Sequence, residues 1–260
     1  MVEIEKTLDK LHKVTLEDID QLRFMNRTDT KFLFSAKQMI DVLKNLDGTY
    51  SVLTINNKVL FHYRSTYFDT NDHRLYAIHQ TGKLNRYKVR YREYIDTNDA
   101  FLEIKKKNNK QKTLKKRINY QYDNGFDNVG KEFLEENTPL NVDDLNPALI
   151  TCFDRITLVS FEHKERITLD LNLNYICSET GKKVELPYIG IAEVKSEGNG
   201  HKSNFIRYLK TLRIYPAGMS KYCVGIGLLK KHYKTNKIKS KVLKLEKIKR
   251  EYGSNQTHSA

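Results

Sequence analysis

From Leu84 to Tyr94 charged and apolar residues alternate with a period of two, and no other feature constrains the chain as much. Side chains alternate faces along a β-strand. Arg86, Lys88, Arg90 and Arg92 therefore share one side, opposite Asn85, Tyr87, Val89, Tyr91 and Glu93. The pattern recurs. Glu103, Lys105 and Lys107 oppose Leu102 and Ile104, and Lys115 and Arg117 oppose Leu114, Lys116 and Ile118. Downstream, Phe153, Arg155 and Thr157 share a face. Arg166, Thr168 and Asp170 oppose Ile167, Leu169 and Leu171, and Glu193 and Lys195 oppose Ala192 and Val194. Upstream, Arg27, Asp29 and Lys31 alternate in the same way, and His62, Arg64 and Thr66 share a face.

One such strand alone reads as a sheet with a wet outer face. Eight segments that repeat Lys and Arg with few acids read differently. Like charges directly opposite on paired strands destabilise a sheet, and a polyanion among them removes the repulsion. Arg suits this role because its planar fork binds phosphate bidentately and stays protonated. The isolated acids Glu103 and Glu193 have two readings here: each neutralises a Lys, or holds Mg²⁺ or Mn²⁺ against phosphate oxygens.

Composition agrees. Forty-six Lys and Arg against 32 Asp and Glu give a formal charge of +14 over 260 residues, which favours an anionic partner. With 39% hydrophobic residues the chain can bury a core. Three cysteines without a CxxC pair read as reduced, buried thiols. The first 20 residues do not form a signal peptide, and no run reaches the ~18 apolar residues of a membrane span. The expectation is a cytoplasmic protein.

Three parts are expected: a helical lead-in over 1–25, a main domain over 26–232, and a basic helix with a disordered tail over 233–260. Capping boxes are expected at Thr15/Asp18 and Ser35/Gln38. Asn71 or Asp72 should cap a short helix to about His79, and residues 126–149 read as helix broken by Pro139 and Pro147. Many strands linked by short turns imply an α+β fold with an antiparallel sheet curled into a barrel. Tyr87, Tyr91, Tyr94 and Tyr120 are assigned to the apolar exterior of that barrel, and His62, His73 and His79 to structural or surface positions.

In order, Arg27-x-Asp29-x-Lys31, Tyr67-Phe68-Asp69-Thr70, Lys88-Val89-Arg90-Tyr91-Arg92, Phe101-Leu102-Glu103-Ile104-Lys105, Lys115-Lys116-Arg117, Arg166-Ile167-Thr168-Leu169-Asp170, Ala192-Glu193-Val194-Lys195 and Ser220-Lys221-Tyr222 resemble the polyphosphate polymerase family of the vacuolar transporter chaperone (VTC) type. That family belongs to the triphosphate tunnel metalloenzymes, relatives of the CYTH phosphatases, and the resemblance covers about residues 25–230. It implies an eight-stranded antiparallel β-barrel forming a tunnel, with flanking helices. It also implies transfer of the ATP γ-phosphate to a growing polyphosphate chain with release of ADP. Carried over position by position, Lys31, Arg90, Arg92, Lys105, Lys115, Arg155, Arg166 and Lys221 would contact phosphates, and Glu193 would bind the metal, Mn²⁺ or Mg²⁺. Two positions depart from relatives. Tunnel phosphatases begin Glu-x-Glu-x-Lys where this chain has Arg27, Asp29 and Lys31, which favours the polymerase branch. Ala217-Gly218-Met219 stands where polymerase relatives often carry another basic residue.

The competing readings are a metal-dependent triphosphatase and a non-catalytic polyphosphate- or nucleic-acid-binding module. The expected partners are ATP and inorganic polyphosphate, with no specific nucleic acid. For the Lys-rich tail, an anionic membrane surface or a membrane-protein partner is one expectation, and a helix packed by its few apolar residues is another.

Overall fold

The structure is a computed structural model that describes residues 2–20, 27–46, 48–110, 112–197 and 203–256. Its frame is one antiparallel path of eight strands: β2 (Arg27–Ser35), β11 (Ile189–Glu197), β9 (Glu165–Cys177), β8 (Asn146–Ser160), β4 (Phe61–Asp69), β5 (Arg86–Tyr94), β6 (Asp99–Lys107) and β7 (Thr113–Asn119). Short strands β1 (His12–Val14), β3 (Ser51–Leu53) and β10 (Lys183–Leu186) attach to its flanks. The fold is α+β, as expected. The sheet curls into a tunnel, but no pairing joins β2 to β7 among the described residues, so hydrogen bonds do not close it into a full barrel. Register shifts at Tyr67/Phe68 and at Cys152/Asp154 insert bulges, which bend strands and raise local twist.

The apolar faces look outward, and helices cover them. Val89, Tyr91, Leu102 and Ile104 pack with Phe133 and Leu134 of α5 (Asn128–Asn137). Ile167, Leu169, Ala192 and Val194 pack with Met39 and Val42 of α3 (Ala36–Lys44) and with Phe205 and Leu209 of α6 (Asn204–Thr211). A third cluster packs Leu149, Tyr175 and Ile191 against α7 (Lys221–Leu229) and against Leu245 and Ile248 of α8 (Lys239–Gln256). The apolar stripe of α8 therefore packs on the rest of the fold, and its exposed side mixes Lys239, Lys247, Lys249 and Arg250 with Leu243, Glu246 and Glu251. No helix among the described residues is long and apolar enough to cross a membrane.

Both expected capping boxes form: Thr15 with Asp18, and Ser35 with Gln38. Other expectations are corrected. The lead-in is not wholly helical, since β1 pairs in parallel with β3 between α1 (Val2–Leu8) and α2 (Leu16–Asp20); residues 21–25 lie outside the described part. Residues 126–149 hold only α5 and a 3₁₀ turn at Val142–Asp144 before β8 begins at Asn146. Pro147 is tolerated there because it lies at the strand's start, opposite Phe68 at a bulge. The tail expected to be disordered from Gly253 stays helical through Gln256, and 257–260 lie outside the described residues.

Helix α7 sits close against the sheet because it carries no side chain at Gly225. A Cβ there would lie 2.6 Å from both Leu149 Cδ2 and Tyr175 Cδ1. Gly225→Val should lower unfolding stability by about 1–3 kcal/mol through overpacking. Urea unfolding checks this, and an unchanged midpoint would contradict the contact.

Candidate functional site

The inward faces of the strands enclose one cavity of about 780 Å³. Among the described residues thirteen lysines and arginines line it, against the four carboxylates Asp29, Asp96, Asp99 and Glu193. Strand register sets how these charges meet. Lys105 on β6 lies directly opposite Lys88 on β5 and Lys115 on β7. One step along, Glu103 lies opposite Arg90 and Arg117. Directly opposite residues bring their Cβ atoms within about 4.5–5.5 Å. Three ammonium groups in a row would repel strongly unless each finds an anion.

Among the described residues only Lys115 finds one, and Lys88 finds a neutral acceptor. Lys115 pairs with the fully buried Glu103. Lys88 donates a 2.9 Å hydrogen bond to Ser220 Oγ. Lys105 has no hydrogen bond or ion pair with the described residues. Arg90, burial and Arg92 together push its ammonium down to about 6. Burial alone would raise the Glu103 carboxyl, but Arg90, Arg92 and Lys115 hold it well below the usual range.

Arg90 and Arg92 are each 7% exposed yet differ in their bonds. Arg90 Nε donates to Glu103 Oε2 at 2.6 Å, and its Nη1 donates to the Tyr67 hydroxyl at 3.2 Å. Arg92 donates only to Ser65 Oγ, at 3.1 Å, and no described carboxylate pairs with it. Its guanidinium lies 5.6 Å from the Tyr63 ring centroid and 5.9 Å from that of Phe153.

A second carboxylate organises the facing wall. Asp170 accepts a fork from Arg155, 2.6 Å from Nε and 2.9 Å from Nη2, and also binds Lys221 Nζ. Despite burial, Arg155 and then Lys221 hold its carboxyl well below the usual range. Lys221 is the first residue of α7, capped by Ser220. The buried Asp69 secures that helix. Its carboxylate accepts from the Thr70, Leu75 and Tyr76 amides at 2.8, 2.7 and 2.9 Å, and from the Tyr222 hydroxyl. Asp69 thus replaces the expected Asn71 or Asp72 as the anchor of α4 (Arg74–Thr81) and ties Tyr222 to β4.

On β11, Glu193 faces Lys31 on β2, with Lys31 Nζ 2.6 Å from Glu193 Oε1. Burial opposes ionisation, but Lys31, then Lys195, pull the Glu193 carboxyl down to about 2. No cluster of three metal-ligating side chains exists among the described residues. The described residues alone therefore build no metal cage. Glu193 and Asp29 line one wall and fit a hard cation that takes one or two carboxylates and completes its shell with phosphate oxygens.

All eight expected phosphate contacts and Glu193 line this one cavity. Arg64 does not; it turns outward and lies 3.6 Å from Glu93. The side chain of Arg27 lies outside the described part. Tyr94 is corrected from the barrel exterior to the cavity wall, whereas Tyr91 and Tyr120 do pack outside. The alternation already contained this, since Tyr94 continues the face of Arg90 and Arg92. His62 and His79 also line the cavity. His62 bonds Asp96, while burial and then Lys88 and Arg86 push His79 down to about 3. Tyr67 and Ser220 stand in motifs quoted from the sequence without a role of their own; their hydroxyls hold Arg90 and Lys88 through bonds that only the fold reveals.

Comparison with solved structures finds candidate adenylate cyclases from Bacillus halodurans (16% identity, TM-score 0.45, 75% of this chain and 96% of that one) and Vibrio parahaemolyticus (13%, 0.41, 76% and 96%). It also finds a candidate adenylyl cyclase from Hippeastrum with a dominant triphosphatase activity (12%, 0.44, 78% and 96%). Comparison with curated proteins gives no match. The VTC domain model matches residues 26–230, which contain every strand of the eight-stranded path, and the chain therefore belongs to the VTC-domain family.

Proposed function

We propose that this chain is a polyphosphate polymerase, which transfers the γ-phosphoryl group of ATP to the end of a polyphosphate chain and releases ADP. The observation that supports this reading is the row Lys88–Lys105–Lys115 beside Arg90 and Arg92, in which Lys88, Lys105 and Arg92 have no carboxylate in an ion pair among the described residues. A phosphate chain supplies the missing charge. A terminal phosphate oxygen of the acceptor forms the new P–O bond as the bond to the β–γ bridging oxygen breaks, and the electron pair leaves on ADP. The acceptor is already ionised, so no general base is needed, which agrees with a His79 held neutral.

Catalysis of this kind is positioning and charge neutralisation. Arg90, Arg92, Lys105 and Arg155 grip the triphosphate. Glu103 and Asp170 hold the Arg90 and Arg155 forks in place, so little side-chain ordering remains when substrate arrives. Lys115 and Arg166 extend the phosphate contacts, and Lys31 and Lys221 steer the acceptor. A divalent cation, Mg²⁺ or Mn²⁺, held between Glu193 and phosphate oxygens would neutralise charge on the transferred group. Lys88 reaches Ser220 and so brings a cation to the segment where Ala217-Gly218-Met219 lacks one.

Incubation with ATP and Mn²⁺ followed by gel analysis should yield long-chain polyphosphate and ADP. Orthophosphate without chains would assign a triphosphatase instead, and no turnover a binding module.

Arg92→Ala should weaken tripolyphosphate binding by about 1.5–3 kcal/mol, roughly ten- to a hundredfold, with little change in stability. Wild-type affinity would remove Arg92 from the site. Arg90→Ala is a poorer probe, because uncovering buried Glu103 costs about 3–5 kcal/mol of stability. Glu193→Gln should abolish metal-dependent turnover and spare metal-free anion binding; retained turnover would exclude it as the metal ligand.

Lys105 makes binding proton-linked. Its folded value of about 6 lies below the ordinary 10.5, so between these values the unfolded chain binds more protons, and this group's contribution to stability rises with pH. A bound polyanion reverses the depression. Tripolyphosphate should therefore take up to one proton at pH 8, and its affinity should fall as pH rises from about 6. Calorimetry in buffers of different ionisation enthalpy checks this. Equal uptake in Lys105→Met would contradict the assignment.

A further inference from the structure

The two ends of the tunnel differ chemically. Strand β5 runs from Arg86 to Tyr94, about 27 Å at the usual rise of a strand, with β6 antiparallel beside it. At the Arg86 end the register brings Arg86 opposite Lys107, with Lys88 one step inward. At the Tyr94 end it brings Tyr94 opposite both Tyr63 and Asp99. There the wall turns aromatic. The Tyr63 and Tyr94 ring centroids lie 4.9 Å apart, and those of Tyr94 and Phe101 lie 5.6 Å apart. Tyr63, Tyr94 and Phe101 are half-buried and line the cavity. Leu16, also in the lining, is 49% exposed and adds apolar surface there.

We infer that this aromatic end is a nucleobase subsite, with Tyr94 and Phe101 as the stacking surface for the base of a nucleoside triphosphate. The inference rests on the reading of the tunnel as a triphosphate site. A nucleoside triphosphate is flat and uncharged at one end and polyanionic at the other, and the tunnel wall has the same polarity. Asp96 and Asp99 at the aromatic end repel phosphate. Asp96 is occupied by His62 and Lys58, whereas the exposed Asp99, bonded among the described residues only by the Thr97 hydroxyl, retains acceptor capacity for an exocyclic amino group. Arg92 and Arg155 mark the boundary. Arg155 stands 5.0 Å from the Tyr63 ring centroid and bonds Asp170 on the phosphate-binding wall. A base on Tyr94 thus places its α-phosphate toward Arg92, two residues further in, and the γ-phosphate toward Arg90 and Lys105. The same orientation sends the growing phosphate chain toward the basic end.

Aromatic stacking contributes enough to read. A base on an aromatic side chain gains about 1–3 kcal/mol, roughly five- to a hundredfold in affinity. The test compares dissociation constants for ATP and for tripolyphosphate by calorimetry in the full chain, with metal chelated so that neither turns over. Tyr94→Leu keeps bulk at a half-buried position while removing the ring; Tyr94→Phe keeps the ring; thermal melting checks that both fold. Tyr94→Leu should weaken ATP roughly tenfold and move tripolyphosphate by less than about twofold, and Tyr94→Phe should restore ATP binding. Phe101→Leu should repeat the split. A parallel loss for both ligands, or an unchanged ATP affinity, would overturn the subsite while leaving the triphosphate site standing. Failure of wild-type protein to bind either ligand would overturn both.

Discussion

The structure depends on confining many cations to one small space. Three carboxylates make this tolerable. Glu103 serves Arg90 and Lys115, Asp170 serves Arg155 and Lys221, and Glu193 serves Lys31. Antiparallel register places Glu103 opposite Arg90, Asp170 opposite Arg155 and Glu193 opposite Lys31, while Lys115 reaches Glu103 from the neighbouring position on β7 and Lys221 reaches Asp170 from the start of α7. Pairing stops short of neutrality, and the surplus remains where a phosphate chain would pass. The arrangement follows the general rule that a buried charge must be paired or must await its partner.

Because the polar residues occupy the inside of the curled sheet, the hydrophobic effect works on its outside. The helices that cover the apolar faces also deliver functional groups. Helix α7 packs its Gly225 face against Leu149 and Tyr175 and begins with Lys221 in the tunnel. Asp69 joins this helix to β4 through Tyr222, which accounts for two sequence motifs far apart in the chain. Folding and binding thus draw on different faces of the same strands.

Much of this was legible in the sequence because period-two alternation is a local signal. The inward side of β5, β6, β7, β9 and β11 could be read residue by residue. Other features were hidden from the sequence or only half visible in it. Strand β1 has only three residues, too few to show a period, and exists through pairing with β3. Pro147 looked like a helix breaker because a strand edge beside a bulge leaves no mark in sequence. The parity of Tyr94 was available, yet its chemistry suggested a core residue; only its cross-strand neighbours Tyr63 and Asp99 show the wall it joins. Which cation lacks a partner depends on side-chain reach across strands, and sequence spacing carries no trace of it.

The unclosed sheet has a consequence for how copies of this chain meet. Strand β7 is a border strand whose outer amides and carbonyls have no strand partner among the described residues, and six of its seven side chains are exposed. Such a border invites another chain to add on and seed fibrils. Here Lys115, Lys116 and Arg117 stand in succession along it, so an incoming identical strand meets three positive charges with three of its own. The strand that turns Lys115 and Arg117 toward the cavity therefore also sets like charge against an identical strand at its free border.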